Sequence, residues 1–257
     1  MQNDELKLQK RLTELSNISY QRGIAVFSDF LNLNELNILH TTPKHMFPVP
    51  YRIFGGYAYA ERQMVSFLPD ALYTSVDDYD EKIYPISLIS IKPLQKKFSE
   101  PLIHRDYLGA VLNLGIDRSK IGDIIILEAE AVIFIQQQLA GFVTDELVRI
   151  KHTSVRADIT AKREFDYTPA YQEIRNTVAS VRLDSLLTLA FPLSRSKMTR
   201  LIEGAKVFVN GRLITTNSYQ VKEDDIISVR GMGKFAYRGL GGETKKGRYY
   251  VTIHKYI

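Results

Sequence analysis

The sequence predicts an α+β chain in three parts. A small N-terminal α/β module covers residues 1–75, and a βαββαβ middle domain covers 76–165. After a linker at 166–180, a C-terminal domain over 181–257 sets a helix pair on a small sheet. Three observations carry this reading. Across 80–165 the apolar period alternates between strand and helix spacing in the order β-α-β-β-α-β. Residues 181–231 place two short amphipathic helices directly before an Asn-Gly hairpin signal. A length of 257 residues at 45 % apolar content supplies more than one core.

The N-terminal module opens with an amphipathic helix in which Leu6, Leu8, Leu12 and Leu15 share the apolar side. A second helix follows over "FLNLNELNIL", with Asp29 or Asn32 near its start. "TTPKHMFPVPY" is a proline-punctuated connector. "RIFGGYAYAERQMVSFLP" reads as a hairpin or strand pair around Gly55 and Gly56.

In the middle domain "IYPISLISIKP" is a strand. "HRDYLGAVLNLGI" is a helix whose apolar contacts come from Tyr107, Leu108, Val111, Leu112 and Leu114. "DIIILEAEAVIFI" gives two strands meeting near Glu128–Glu130, "QQQLAGFVTDELVRI" a second helix, and "TSVRADIT" a final strand. This is the ferredoxin-like order that RNA-recognition domains also use. The Gly-Phe stacking signature of a standard RNA-recognition motif is missing, so base binding through the open sheet face is not expected.

In the C-terminal domain Leu183, Leu186, Leu187 and Ala190 fall on one helical face, which leaves Arg182 to point away. "FPL" forces a turn, and Ser194 suits an N-cap whose hydroxyl accepts a first-turn N–H. Met198, Leu201 and Ile202 form the buried side of the second helix, while Arg195, Lys197 and Arg200 crowd toward its beginning. Gly204 is placed to end it in a left-handed conformation. Cations at a helix N-terminus oppose the dipole, a conflict that a bound phosphate resolves. "KVFVNGR" alternates inward valines with outward residues up to the Asn210-Gly211 turn, so Lys206 and Arg212 extend the same positive surface. The segment 231–248 carries six glycines and five Lys/Arg and reads as a flexible loop before a last strand. In that strand Tyr249, Val251 and Ile253 alternate with Tyr250, Thr252 and His254. Lys245, Lys246 and Arg248 are further candidates to meet phosphate.

The charge distribution points the same way. Residues 176–257 hold 14 Lys and Arg against 6 Asp and Glu, a net of +8, whereas residues 1–175 carry a net of −3. A basic third of this kind is the footprint of a polyanion ligand. The absence of cysteine excludes disulfides, thiolate metal sites and cysteine nucleophiles, and fits a reducing cytosol. "MQNDELKLQKRL" lacks the apolar core of a signal peptide, and acids interrupt the longest apolar run before it spans a membrane. A cytoplasmic chain without membrane insertion is expected. The histidines at 40, 45, 104, 152 and 254 show no helical metal-pair spacing, so neither a metal nor a cofactor is expected.

"RLDSLL", "FPLSRSKMTRLIEGAKVFVNG" and "EDDIISVRG" together resemble the S-four RNA-binding domain over about residues 181–231. The resemblance implies a helix pair packed on a small sheet that recognises structured RNA, with Arg182, Ser194, Arg195, Ser196, Lys197, Arg200, Asn210 and Gly211 at the contact. "GGYAYAERQMVSFLP" followed by "PLIHRDYLGAVLNLGIDRSKIGDIII" is similar to the bacterial YlmH-type RNA-binding proteins, which place a ferredoxin-like domain before a C-terminal S-four domain. That similarity implies a cytoplasmic factor on the large ribosomal subunit, with ribosomal RNA and tRNA as partners. Its implied role is nascent-chain quality control on stalled peptidyl-tRNA.

Two other functions are weighed against this. "HRDYLGAVLNLGI" has a weak similarity to the His-Arg-Leu-Asp loop of pseudouridine synthases, which would make Asp106 a nucleophile. The Leu expected before that Asp and the Thr-Ser-Gly after it are absent, so Asp106 reads as capping or structural, paired with Arg105 or Arg118. An enzyme is not expected. His104, Arg105 and Arg118 form a candidate second RNA contact. The third reading is a protein-interaction adaptor in cell division whose basic tail is incidental.

Overall fold

The computed structural model describes residues 2–69, 83–95, 97, 99–160, 165 and 167–257. They form two compact units, Met1–Tyr167 and Thr168–Ile257.

The first unit begins with α1 (Gln2–Arg22), β1 (Val26–Phe27), α2 (Leu33–Thr41), β2 (Tyr51–Phe54) and β3 (Met64–Phe67). Asn32 caps α2. Its Oδ1 accepts the N–H groups of Asn34 and Glu35, while the Glu35 carboxylate accepts the N–H of Asn32 at 2.7 Å, a reciprocal box. The strands form an antiparallel sheet in the order β1-β3-β2. Leu12, Leu15, Leu36, Leu39, Val65 and Phe67 are buried together against it. Leu6, assigned to the apolar side of α1, is instead 54 % exposed, because it borders a shallow groove beside Ile38 and Thr41 and does not enter the core.

β4 (Ile86–Pro93), α3 (His104–Asn113), β5 (Ile121–Ile126), β6 (Ala131–Gln136), α4 (Gln137–Glu146), β7 (Arg149–Ile150) and β8 (Thr153–Thr160) follow. Their antiparallel sheet runs β5-β6-β4-β8-β7. The first four strands of that row stand in ferredoxin-like order, as the alternation of periods predicts. Two details differ. Residues 149–150, read as the end of the second helix, leave it and pair with Thr153 and Ser154 as a short edge strand. Leu112 is an exposed residue of α3, whose buried face is carried by Tyr107 and Val111.

Each face of this sheet has its own cover. Ile89, Ile91, Ile133 and Ile135 pack with Tyr107 and Val111 of α3 and with Ala140 and Val143 of α4. Ile86, Leu88, Val132 and Phe134, on the opposite face, pack with Phe30 and Met64 of the N-terminal module and with Tyr84. Tyr57 stacks on Phe134 with centroids 5.0 Å apart. Gly56 (φ +102°) permits this approach, since a Cβ there would lie 2.3 Å from the Phe134 ring. The face that an RNA-recognition domain presents to bases is therefore closed by the module that precedes it.

Polar contacts fasten the same seam. Asp123 accepts the Tyr57 hydroxyl at 2.9 Å and the N–H groups of Glu61 and Arg62 at 2.7 and 3.0 Å. Arg62 donates to the carbonyls of Ile121, Phe30 and Arg118. Burial lowers the Arg62 pKa, and burial together with Arg62 brings Arg118 down to about 10. Burial, reinforced by the Asp123 carboxylate, pushes the Tyr57 hydroxyl far above its ordinary range.

The second unit holds β9 (Tyr171–Val178), α5 (Leu183–Ala190), α6 (Arg195–Glu203), β10 (Val207–Val209), β11 (Arg212–Leu213), β12 (Ile226–Val229), β13 (Gly233–Glu243) and β14 (Tyr249–Tyr256). They make an antiparallel sheet in the order β11-β10-β12-β13-β14-β9, wider than the sequence suggests. Most of the segment read as linker is β9, whose Tyr171–Val178 pair with all of β14. The glycine-rich segment read as a flexible loop is mostly β13. Its register shifts between Tyr237 and Gly239 and again between Leu240 and Glu243, so the glycines serve bulges and not a free loop. Leu183, Leu186, Leu187 and Ala190 of α5 and Met198 and Ile202 of α6 pack on Val251, Ile253, Tyr237 and Phe235. In β10 Phe208 is buried as fully as Val207 and Val209, against the predicted alternation. Gly204 keeps φ −80°, and the left-handed residue is Ala205 (φ +56°). Glycine is required at 204 for a different reason, as a Cβ would sit 2.7 Å from the Arg200 carbonyl oxygen.

Replacing Asp123 by Ala removes the acceptor shared by Tyr57, Glu61 and Arg62, and is expected to cost about 3 kcal/mol of stability. Urea unfolding followed by circular dichroism measures this, and Asp123→Asn should recover part of the loss.

Candidate nucleic-acid interface

Helix α5 starts with Arg182 as its N-cap residue, and its first-turn Asp184 is buried at 3 % exposure. A carboxylate taken out of water needs cationic partners. Arg182 supplies a two-pronged contact, Nε to Oδ1 at 3.1 Å and Nη2 to Oδ2 at 3.2 Å. Arg195, the first residue of α6, adds Nη2 to Oδ2 at 2.7 Å. Asp184 thereby ties the starts of the two helices together. Arg182 is clamped and does not point away, as the helical face alone suggests. The Arg195 side chain remains 67 % exposed, so only one edge of its five-donor guanidinium is spent on Asp184.

Ser194 is the N-cap residue of α6, but its hydroxyl makes no bond to a first-turn N–H. Its Oγ lies 3.2 Å from that of Ser196, and the backbone carbonyl of Ser194 accepts the N–H groups of Lys197 and Met198. The conflict read from three cations at a helix start largely dissolves. Arg195 has Asp184 as its counter-charge, and Arg200 stands in the last turn, where the dipole favours a cation. Lys197 alone remains near the N-terminal end. Lys197 and Arg200 are exposed and have no ion pair or hydrogen bond from their side chains among the described residues.

The Asn210-Gly211 turn has φ +49° and +77° and closes β10 onto β11, with Val209 opposite Arg212. Its side chain is committed to the fold. Asn210 Nδ2 donates to Asp225 at 2.7 Å, and Oδ1 accepts the N–H of Ile226 at 2.9 Å. Gly211 is buried. Both residues shape the hairpin, and the two contacts of the Asn210 amide hold it to β12.

The remaining candidates fall into two groups at opposite ends of the sheet. At the Val207–Val229–Gly233 end, Lys206 follows α6 directly and its carbonyl accepts the N–H of Arg230 at 2.9 Å. Arg230 is exposed and was missed in the sequence, where "SVRG" reads only as the close of a strand. At the other end lie the Asn210-Gly211 turn with Arg212 and the turn that joins β13 to β14. Lys245 and Lys246 are exposed in that turn. Arg248 is anchored, its Nε on Thr177 Oγ1 at 3.0 Å and its Nη2 on the Thr177 carbonyl at 2.5 Å.

The candidate contact in the middle domain separates as well. Arg118 turns inward, with Nη1 on the Ile121 and Gly122 carbonyls. His104 titrates below its ordinary value because of partial burial and of Arg118 beside it. Arg105 stays exposed. Asp106 pairs with neither arginine. It accepts the Ile103 N–H at 2.9 Å and pairs with Lys151 at 2.8 Å, contacts that pull its carboxyl below the usual range. Among the described residues no cluster of three potential metal ligands occurs, and no helix is long and apolar enough to cross a membrane.

Two family comparisons match this chain. The family described as "Putative RNA-binding domain in YlmH" matches residues 80–164, and the S4 domain matches residues 181–227. The chain is similar to "Ribosome-associated protein quality control protein P2" of Bacillus subtilis (strain 168), with 28 % identity over 229 residues that cover 89 % of this chain and 86 % of the relative. Among solved structures it is similar to "Cell division protein ylmH from Streptococcus pneumoniae", at 24 % identity and a TM-score of 0.49, covering 63 % of this chain and 95 % of that one. The two family matches leave β9, β13 and β14 outside.

Truncating Asp184 to Ala leaves the two arginines facing each other without their shared carboxylate. The loss expected is about 2–3 kcal/mol, carried mainly by Arg182, because the contact with the exposed Arg195 is screened by solvent. Thermal and urea unfolding of the variant read it directly.

Proposed function

We propose that this chain, a YlmH-type protein carrying an S4 domain, is a non-catalytic RNA-binding factor of the ribosome. In this reading it holds large-subunit ribosomal RNA and tRNA during quality control of stalled peptidyl-tRNA, in the cytoplasm. One observation carries the RNA contact: α6 and the sheet end that follows it present Lys197, Arg200, Lys206 and Arg230 exposed, beside the outer edge of Arg195. Cations of this kind bind phosphates by displacing condensed counterions, so affinity falls steeply with salt. The Asp184 clamp fixes the two helix starts, so the surface is held before RNA arrives and little ordering entropy opposes binding. The ribosomal part of the reading draws on the similarity to the Bacillus subtilis protein.

The enzymatic alternative has little to support it. Asp106, the nucleophile it needs, is engaged with the start of α3 and with Lys151. No turnover of labelled uridine is expected, with or without Asp106→Ala.

Crosslinking in cells followed by sequencing of the attached RNA tests the assignment, and reads concentrated on large-subunit ribosomal RNA and tRNA are the expected result. In vitro, the triple substitution Lys197→Glu, Arg200→Glu and Lys206→Glu should weaken binding to a structured RNA by at least about 100-fold. It should also flatten the slope of log K against log salt by roughly 3, with the fold unchanged. Arg195 is left out of this variant because its loss would also disturb Asp184.

A further inference from the structure

The alternation of β9 and β14 sorts their side chains between two faces. Ile174, Val251 and Ile253 lie under α5 and α6, so Tyr171, Glu173, Arg175 and Thr177 of β9, together with Tyr250, Thr252, His254 and Tyr256 of β14, point to the opposite face. Arg238, which follows the core residue Tyr237, turns to that face too, where its Nε lies 3.4 Å from His254 Nδ1 and its Nη1 pairs with Asp224 at 2.6 Å. The three strands β9, β13 and β14, with the turn joining the last two, hold seven Lys/Arg against two Glu. None of them belongs to the part of the chain that matches the S4 domain.

Aromatic rings stand among these cations. Tyr171 is 45 % exposed and stacks on His254 with centroids 3.9 Å apart and planes 8° from parallel. Lys234 lies 5.7 Å from the centroid of the neighbouring Tyr256 ring. Tyr250 is 52 % exposed and stacks on no other ring among the described residues. It sits opposite Thr177, the residue that holds Arg248, and beside the turn carrying Lys245 and Lys246. Tyr250 and His254 are four residues apart on one strand, about 13 Å. A solvent-facing strand needs only polar or β-branched side chains at such positions. Half-exposed tyrosines flanked by arginine and lysine instead match the chemistry of unpaired bases, which offer π-faces for stacking and phosphates for the cations.

We propose that the outer face of β9, β14 and β13 is a second RNA site that takes unpaired bases of single-stranded RNA by stacking on Tyr171 and Tyr250, while Lys245 and Lys246 of the turn after β13 meet the flanking phosphates. This rests on the RNA-binding reading above and adds a different mode, ring against base, to the phosphate contacts of α6. It also gives Lys245 and Lys246 a place of their own, since the sheet sets them apart from Lys206 and Arg230.

The test uses the full chain with two fluorescent RNAs, a short oligouridylate and a blunt-ended hairpin, titrated by anisotropy at several salt concentrations. The double variant Tyr171→Ala with Tyr250→Ala should lose at least about ten-fold in affinity for the oligouridylate. It should leave hairpin binding and the salt slope unchanged, and Tyr→Phe at both positions should restore the oligouridylate. The charge-reversed α6 variant should show the opposite selectivity. Because Tyr171 also packs on His254, Tyr250→Ala alone, with its thermal melt, guards against a folding artefact. A folded double variant that binds oligouridylate like the unsubstituted chain overturns the proposal. So does an unsubstituted chain that binds the hairpin but not oligouridylate, a result that leaves the α6 surface standing. Binding to neither RNA sinks both.

Discussion

The buried carboxylate of Asp184 is the constraint on which the C-terminal surface depends. Once α5 packs its leucines against the sheet, Asp184 is carried out of water, and its charge is tolerable only with cations around it. Arg182 and Arg195 answer from the starts of two successive helices, which fixes how those helices meet. The arrangement sorts the basic residues into those that serve the fold and those left to a ligand. Arg182 and Arg195 each give one edge of the guanidinium to Asp184, Arg195 staying the more exposed of the two, and Lys197, Arg200, Lys206 and Arg230 remain outward. Total positive charge therefore overstates the part that RNA can use.

A parallel economy governs the first unit. A ferredoxin-like sheet has one face covered by its own helices, and the other face must find a cover or a ligand. Here Phe134, Leu88 and Val132 find Phe30, Met64 and Tyr57, and Asp123 with Arg62 satisfies the polar groups along the seam. The stacking platform of RNA-recognition domains is thereby filled from within. What the middle domain presents outward is its helices and its sheet edges, with Arg105 as an exposed cation at the start of α3. The six-stranded sheet of the second unit differs in this respect. Its helix-free face carries Tyr171 and Tyr250 half exposed among arginines, so the chemistry absent from one sheet is available on the other.

Much of this architecture was legible from local pattern. The βαββαβ order, the helix pair, the Asn210-Gly211 turn and the Asn32 region as a helix start all depend on neighbours within a few residues, where periodicity and turn chemistry speak directly. The errors share a cause in long-range contact. "DYTPAYQEIRNTV" lacks a strong strand pattern, and β9 exists because β14, some eighty residues later, offers it an edge along its whole length. The glycines of 231–248 suggested mobility, yet paired strands with bulges accommodate them. Arg118 looked like a free cation beside a helix, but its partners are backbone carbonyls that only the folded chain exposes to it.

The sequence by itself determined the βαββαβ order of the middle domain, the helix pair and hairpin that follow it, the basic bias of the C-terminal third and the residues that carry the S4 resemblance. These are properties of spacing and residue type. Tertiary structure alone decided which cations are available, because a salt bridge or a carbonyl contact is made between positions whose distance the spacing does not encode. It also decided which sheet face is closed, since covering the middle domain requires Phe30 and Tyr57 to meet Phe134 across the chain. Function in this protein rests on what remains uncovered after those contacts are made, and uncovered surface is defined only by the whole fold.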